Sequence, residues 1–87
     1  MKGYVRISGL AFRMWVPSYD GRLKRVFRYA SLEKAERLIW VVENDGFPVH
    51  FSTVIDLKGR QYFHVTVMAV TPPTPEQLYR WLQVAKG

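Results

Sequence analysis

The chain has 87 residues, 48% hydrophobic and 15% aromatic, with no cysteine; this sets one domain with a modest core and excludes a disulfide framework or a thiolate metal site. Its longest apolar runs, LIWVV (38–42) and VMAV (67–70), are too short to cross a bilayer, and no apolar signal core follows Met1, so a cytoplasmic protein is expected. The net charge of +6 lies in residues 1–30, where Lys2, Arg6, Arg13, Arg22, Lys24, Arg25 and Arg28 face Asp20 alone, while residues 31–87 balance six cations against six anions. A polyanionic partner is the expectation from that asymmetry.

The first hairpin turns at PSYDGR (17–22) and returns through RLKRVFRYA (22–30), which packs four cations and two aromatics into nine positions. Gly9 predicts a bend in a long first strand, with Tyr4 and Arg6 at its edge. A three-residue loop with glycine in the left-handed position pairs Trp15 with Arg25, Arg13 with Phe27 and Ala11 with Tyr29. The opposite face then pairs Met14 with Val26, Phe12 with Arg28 and Val16 with Lys24. Burying the first set would carry Arg13 and Arg25 inward at mid-strand, where an unpaired charge is costly. Burying the second needs only that Lys24 and Arg28 reach water along their stems, so the second set is expected inside.

A helix follows, capped by Ser31, with apolar positions at Leu32, Ala35, Leu38, Ile39 and Val42, and closed by Asn44-Asp45-Gly46. In VIDLKGRQY, Asp56 opens a second turn of the same kind, setting Val54 opposite Tyr62, Ser52 opposite His64 and His50 opposite Thr66. That register gathers Val49, Phe51, Phe63, Val65 and Val67 on one face. The last helix begins at TPEQ, where Thr74 caps, Pro75 suits the first helical position and Gln77 completes a capping box. Leu78, Trp81, Leu82 and Ala85 form its buried stripe, and Trp40 and Trp81 are both expected to pack in the core.

Two hairpins, each followed by a capped helix, make a pseudo-repeat over residues 4–46 and 47–87 within a single domain, 1–87. The predicted fold is α+β: a two-layer sandwich in ββαββα order, with a four-stranded antiparallel sheet and two helices on one face.

The helix-free face is the candidate site. It would hold Arg13, Trp15, Lys24, Arg25, Phe27, Arg28, Tyr29, Arg60, Tyr62 and His64 in a surface that grips single-stranded DNA or RNA. Arg13, Lys24, Arg25 and Arg28 would neutralise phosphates, and Trp15, Phe27 and Tyr62 would stack on bases. One alternative is a protein-interaction module or homodimer that uses the apolar part of the same face, namely Trp15, Phe27, Tyr29, Val54 and Tyr62. Another is a small ribonuclease in which His50 and His64 act as acid and base; no enzyme is the expectation. The order helix, hairpin, helix from Ala35 to Gly87, with Gly46-Phe47 at the strand entry, is similar to double-stranded-RNA-binding domains and HicA-like toxin ribonucleases. Their third strand and the Gly-Ser-His signature are missing. Two histidines beside Asp56 do not make a metal site, single glycines at turns cradle no phosphate, and no cofactor is expected.

Overall fold

The computed structural model describes residues 14–87. The elements are β1 (Val16–Pro17), β2 (Leu23–Tyr29), α1 (Leu32–Asn44), β3 (Val49–Ile55), β4 (Gln61–Ala69) and α2 (Pro75–Lys86), the ββαββα order of an α+β sandwich. The four strands form one antiparallel sheet in the order β1-β2-β4-β3. The bend at Gly9, the edge positions of Tyr4 and Arg6, and the partners Ala11, Phe12 and Arg13 lie outside the described residues.

Both hairpins use the same turn. Ser18 N donates to Arg22 O and Gly21 N to Ser18 O, at 2.7 and 3.0 Å; Asp56 N and Gly59 N do the same with Arg60 O and Asp56 O, at 2.9 and 3.0 Å. Gly21 and Gly59 take φ of 89° and 83°, values at which any side chain is strained. The turns fix the register: Val16 lies opposite Lys24, Val54 opposite Tyr62, Ser52 opposite His64 and His50 opposite Thr66, as the pattern predicted.

The halves meet in the middle. β2 and β4, the second strand of each half, run antiparallel with Phe27 opposite Val65. Each of the two lies six positions beyond its own turn glycine.

Packing against the helices decides which face is inside. Phe27, Val65 and Val67 are buried in the core with Ala35, Leu38, Val41 and Val42 of α1 and with Trp81 and Ala85 of α2; Trp15, Tyr29, Val49 and Phe63 pack against them. The face carrying Trp15, Arg25, Phe27 and Tyr29 is thus the helix-covered one, and the expectation that Met14, Val16 and Val26 face the helices is corrected. Arg25 is only half-buried on this face: its side chain lies along Phe27, with the guanidinium 4.9 Å from the ring centroid and Nε buried without a hydrogen bond. Desolvation lowers its pKa, yet a guanidinium stays charged.

The helices form where their caps were predicted. Ser31 Oγ accepts from Lys34 N at 3.3 Å, and Thr74 Oγ1 accepts from Gln77 N at 3.1 Å. Gly46, at φ 90°, closes α1, with Phe47 N reaching back to Val42 O at 3.2 Å. Gln77 does only half of its predicted capping task. Its side-chain amide instead donates to Asp45 Oδ2 at 3.1 Å, where Trp81 Nε1 at 2.7 Å and Arg80 also donate. One carboxylate at the end of α1 thereby clamps the first two turns of α2. Trp81 is wholly buried and meets Phe47 edge to face at 5.0 Å. Trp40, expected in the core, is instead 65% exposed, because it falls on the far side of α1 from Leu38 and Val42.

Candidate nucleic-acid interface

Strand alternation decides what the helix-free face presents. From β2 it takes Lys24, Val26 and Arg28; from β4, Tyr62, His64, Thr66 and Met68; from β3, His50, Ser52 and Val54. Of the ten residues assigned to the site from sequence, Lys24, Arg28, Tyr62 and His64 come together here, and Arg60 joins them from the turn. Trp15, Arg25, Phe27 and Tyr29 do not. Phe27 is only 6% exposed and Trp15 and Tyr29 pack against the core, so none of the three offers a free ring. Arg13 lies outside the described residues.

The cluster centres on Tyr62. The Arg28 guanidinium sits 4.6 Å from its ring centroid and that of Arg60 lies 6.0 Å away. Arg28 pairs in register with His64, so the ring and the imidazole lie on β4, Arg28 on the neighbouring β2 and Arg60 in the β3–β4 turn. Burial, and then the positive charge of Arg28, pushes the His64 pKa below its ordinary value, which keeps the imidazole neutral at pH 7. Arg60 is partly committed elsewhere. Its Nε donates to Asp56 Oδ2 at 2.9 Å, and the hydrogen bonds from Arg60 and Lys58 hold the Asp56 carboxyl below its usual range.

A second feature lies at the other end of the face. The β1–β2 turn borders an open groove of about 290 Å³ whose floor and walls are Lys24, His50, Thr66 and Met68 together with Ser18, Tyr19, Asp20 and Arg22. Tyr19 is fully exposed at its rim. Arg22 is held by Asp20 through bonds of 3.0 and 2.7 Å, which leaves Lys24 as the groove's cation outside that ion pair. Sequence reasoning missed Tyr19 and Arg22 here. Both sit in a turn, and only the curl of the turn over the sheet brings them near His50. Lys24 and Arg28 are four residues apart on one strand, about 13 Å, a span of up to about four nucleotides at a stacked rise of ~3.4 Å.

The face is not wholly polar. Val26 and Met68 lie on it and are 5% and 6% exposed. The apolar patch suggested for a protein partner is divided, with Trp15, Phe27 and Tyr29 on the helix side and Val54 and Tyr62 on the other. His50 and His64 are diagonal neighbours beside Ser52. Among the described residues no group of His, Asp and Glu could hold a metal ion, and no helix is long and apolar enough to cross a membrane.

No protein-family model, no curated protein and no solved structure matches this chain.

Proposed function

We propose that the protein binds single-stranded nucleic acid across the helix-free face of its sheet. The observation that carries this reading is the Tyr62 cluster: a half-buried ring with Arg28 at 4.6 Å and Arg60 at 6.0 Å, on a face that also presents Lys24. Guanidinium groups neutralise phosphates, and a tyrosine ring stacks on any base. In the free protein Arg28 covers the ring. A base that stacks on Tyr62 displaces a cation–π contact of about 0.5–1 kcal/mol and gains about 1–3 kcal/mol of stacking. The exchange leaves the Arg28 guanidinium beside the stacked base, next to the neighbouring phosphate. Trp15, Phe27 and Tyr29 have no part in the interface; their place in the earlier expectation passes to Tyr19 and His50 in the adjoining groove.

The test is a fluorescence-anisotropy titration of the full chain with labelled oligonucleotides, repeated over a range of salt. Three phosphate contacts, from Lys24, Arg28 and Arg60, predict a slope of about −2 in log K against log salt. Arg28→Ala should reduce the slope by about 0.7, and Tyr62→Ala should weaken binding by about 1–3 kcal/mol at every salt concentration. Absence of binding at low salt rejects the proposal, as does binding that neither substitution alters. Labelled RNA recovered intact after incubation separates binding from cleavage by His50 and His64.

A further inference from the structure

The two edges of the sheet are built differently. β1 has two residues and ends in Pro17, which blunts that edge. β3 has seven residues, Val49–Ile55, with no proline and no formal charge. Positions 50–53 and 55 are exposed, and among the described residues β4 is the one neighbour of β3.

The ladder shows which backbone groups face outward. Asp56 N bonds Arg60 O, and Met68 N bonds Pro48 O. Antiparallel pairs alternate between bonded and non-bonded, so the even-numbered residues of β3 spend their backbone groups on β4. Val49, Phe51, Thr53 and Ile55 therefore aim their N–H and C=O away from the sheet. Their side chains all lie on the helix side, where Phe51 is 45% and Ile55 66% exposed. Phe51 stacks on Phe63 at 6.0 Å with its outer side uncovered.

We infer that β3 pairs antiparallel with β3 of a second copy of this chain, about a two-fold axis through Ser52. Reversed on itself, the strand sets Val49 against Ile55 and Phe51 against Thr53 on the helix side, and His50 against Val54 on the other. All seven residues are matched, side chains keep to their faces, and each outward-facing residue finds an outward-facing partner. Charge favours this site in a protein of net charge +6. An uncharged strand lets two like-charged copies approach without setting cation directly against cation, which would be destabilising. The exposed part of Ile55 gains cover from Val49 and Phe51 of the other copy, and that of Phe51 from Thr53 and Phe51 of the other copy. Two four-stranded sheets become one continuous sheet, with all four helices on one side and both Tyr62 clusters on the other. This pairing does not depend on the nucleic-acid reading, since it uses the edge of the sheet and not its face.

The mass of the full chain in solution, measured by light scattering from ~1 μM to ~1 mM, tests the inference across the ordinary range of self-association. The expected mass is twice 10.2 kDa at the upper concentrations. Thr53→Pro removes an outward-facing N–H that β4 does not use and should return the mass to a single copy, with an unchanged far-ultraviolet circular dichroism spectrum. Ser52→Cys supplies the only thiol in the chain. A non-bonded antiparallel pair holds its Cα atoms about 4.5 Å apart, within the roughly 4.4–6.8 Å that a disulfide spans. Mild oxidation should therefore convert this variant to a covalent dimer. A single-copy mass throughout the range overturns the inference. So does a dimer that survives Thr53→Pro and leaves Ser52→Cys unlinked.

Discussion

Asp45 joins the two helices through one carboxylate, and replacing it separates charge from hydrogen bonding. Gln77, Arg80 and Trp81 all donate to Oδ2, and these bonds, led by that from Arg80, lower the Asp45 pKa from 3.8 to about 2. A shift of that size corresponds to at most ~2.5 kcal/mol at neutral pH, and solvent screening at this partly exposed site brings it to ~1 kcal/mol. Asp45→Asn keeps an oxygen for Trp81 and removes the charge, so it should cost about 1 kcal/mol at pH 7. Asp45→Ala also strands the indole N–H of a fully buried tryptophan, adding about 1–3 kcal/mol. The sign with pH follows from the lowered value. The charge contribution is complete above pH 3.8 and disappears as pH falls through about 2. Urea denaturation of the native chain and both variants at pH 7, 4 and 2 measures this directly. Asp20 and Asp56 titrate alike in all three proteins and cancel in the differences. The gap between the native chain and Asp45→Asn should be mostly closed at pH 2, while the gap between the two variants persists. A native-to-Asn gap that stays constant from pH 7 to pH 2 would refute the electrostatic account. Equal losses for Asn and Ala at pH 7 would refute the role given to Trp81.

Other outcomes follow from single contacts. Phe27→Ala should lower stability by about 3–5 kcal/mol in thermal or urea unfolding, because Phe27 is a core residue in the β2–β4 seam and not a base-stacking platform. Gly59→Ala should cost about 1–2 kcal/mol; a methyl group there meets no atom within 4 Å, so the loss measures backbone strain at φ 83° alone. The His64 imidazole, followed by NMR, should titrate below its ordinary value of 6.5, and Arg28→Gln should move it upward by removing the neighbouring positive charge.

The turns, the caps and the register of the second hairpin were legible because each rests on local chemistry. Asp20-Gly21 and Asp56-Gly59 dictate the hairpins, and Ser31 and Thr74 start the helices. The inner face of the first hairpin was harder to read. The energetic cost of burying arginine pointed to the wrong face there. The stem of Arg25 lies on Phe27, an arrangement that a pattern of charged and apolar letters does not record. That one choice moved Trp15, Phe27 and Tyr29 out of the candidate site while leaving Arg28, Tyr62 and His64 in it. The clamp at Asp45 was hidden for a different reason. Its donors lie more than thirty residues away, and Gln77 already had a plausible local task. The groove beneath Tyr19 depends likewise on how the first turn curls over β3 and β4.

The Phe27–Val65 pairing has a consequence for how the molecule melts. The seven-residue seam from Leu23–Ala69 to Tyr29–Phe63 joins segments that are far apart along the chain, and neither half encloses Trp81 or Leu38 by itself. Early in folding each hairpin must therefore wait for the other, and the rate is set by closure of that seam more than by either turn. On heating, the halves should come apart in one cooperative step, with no stage at which a single ββα unit survives.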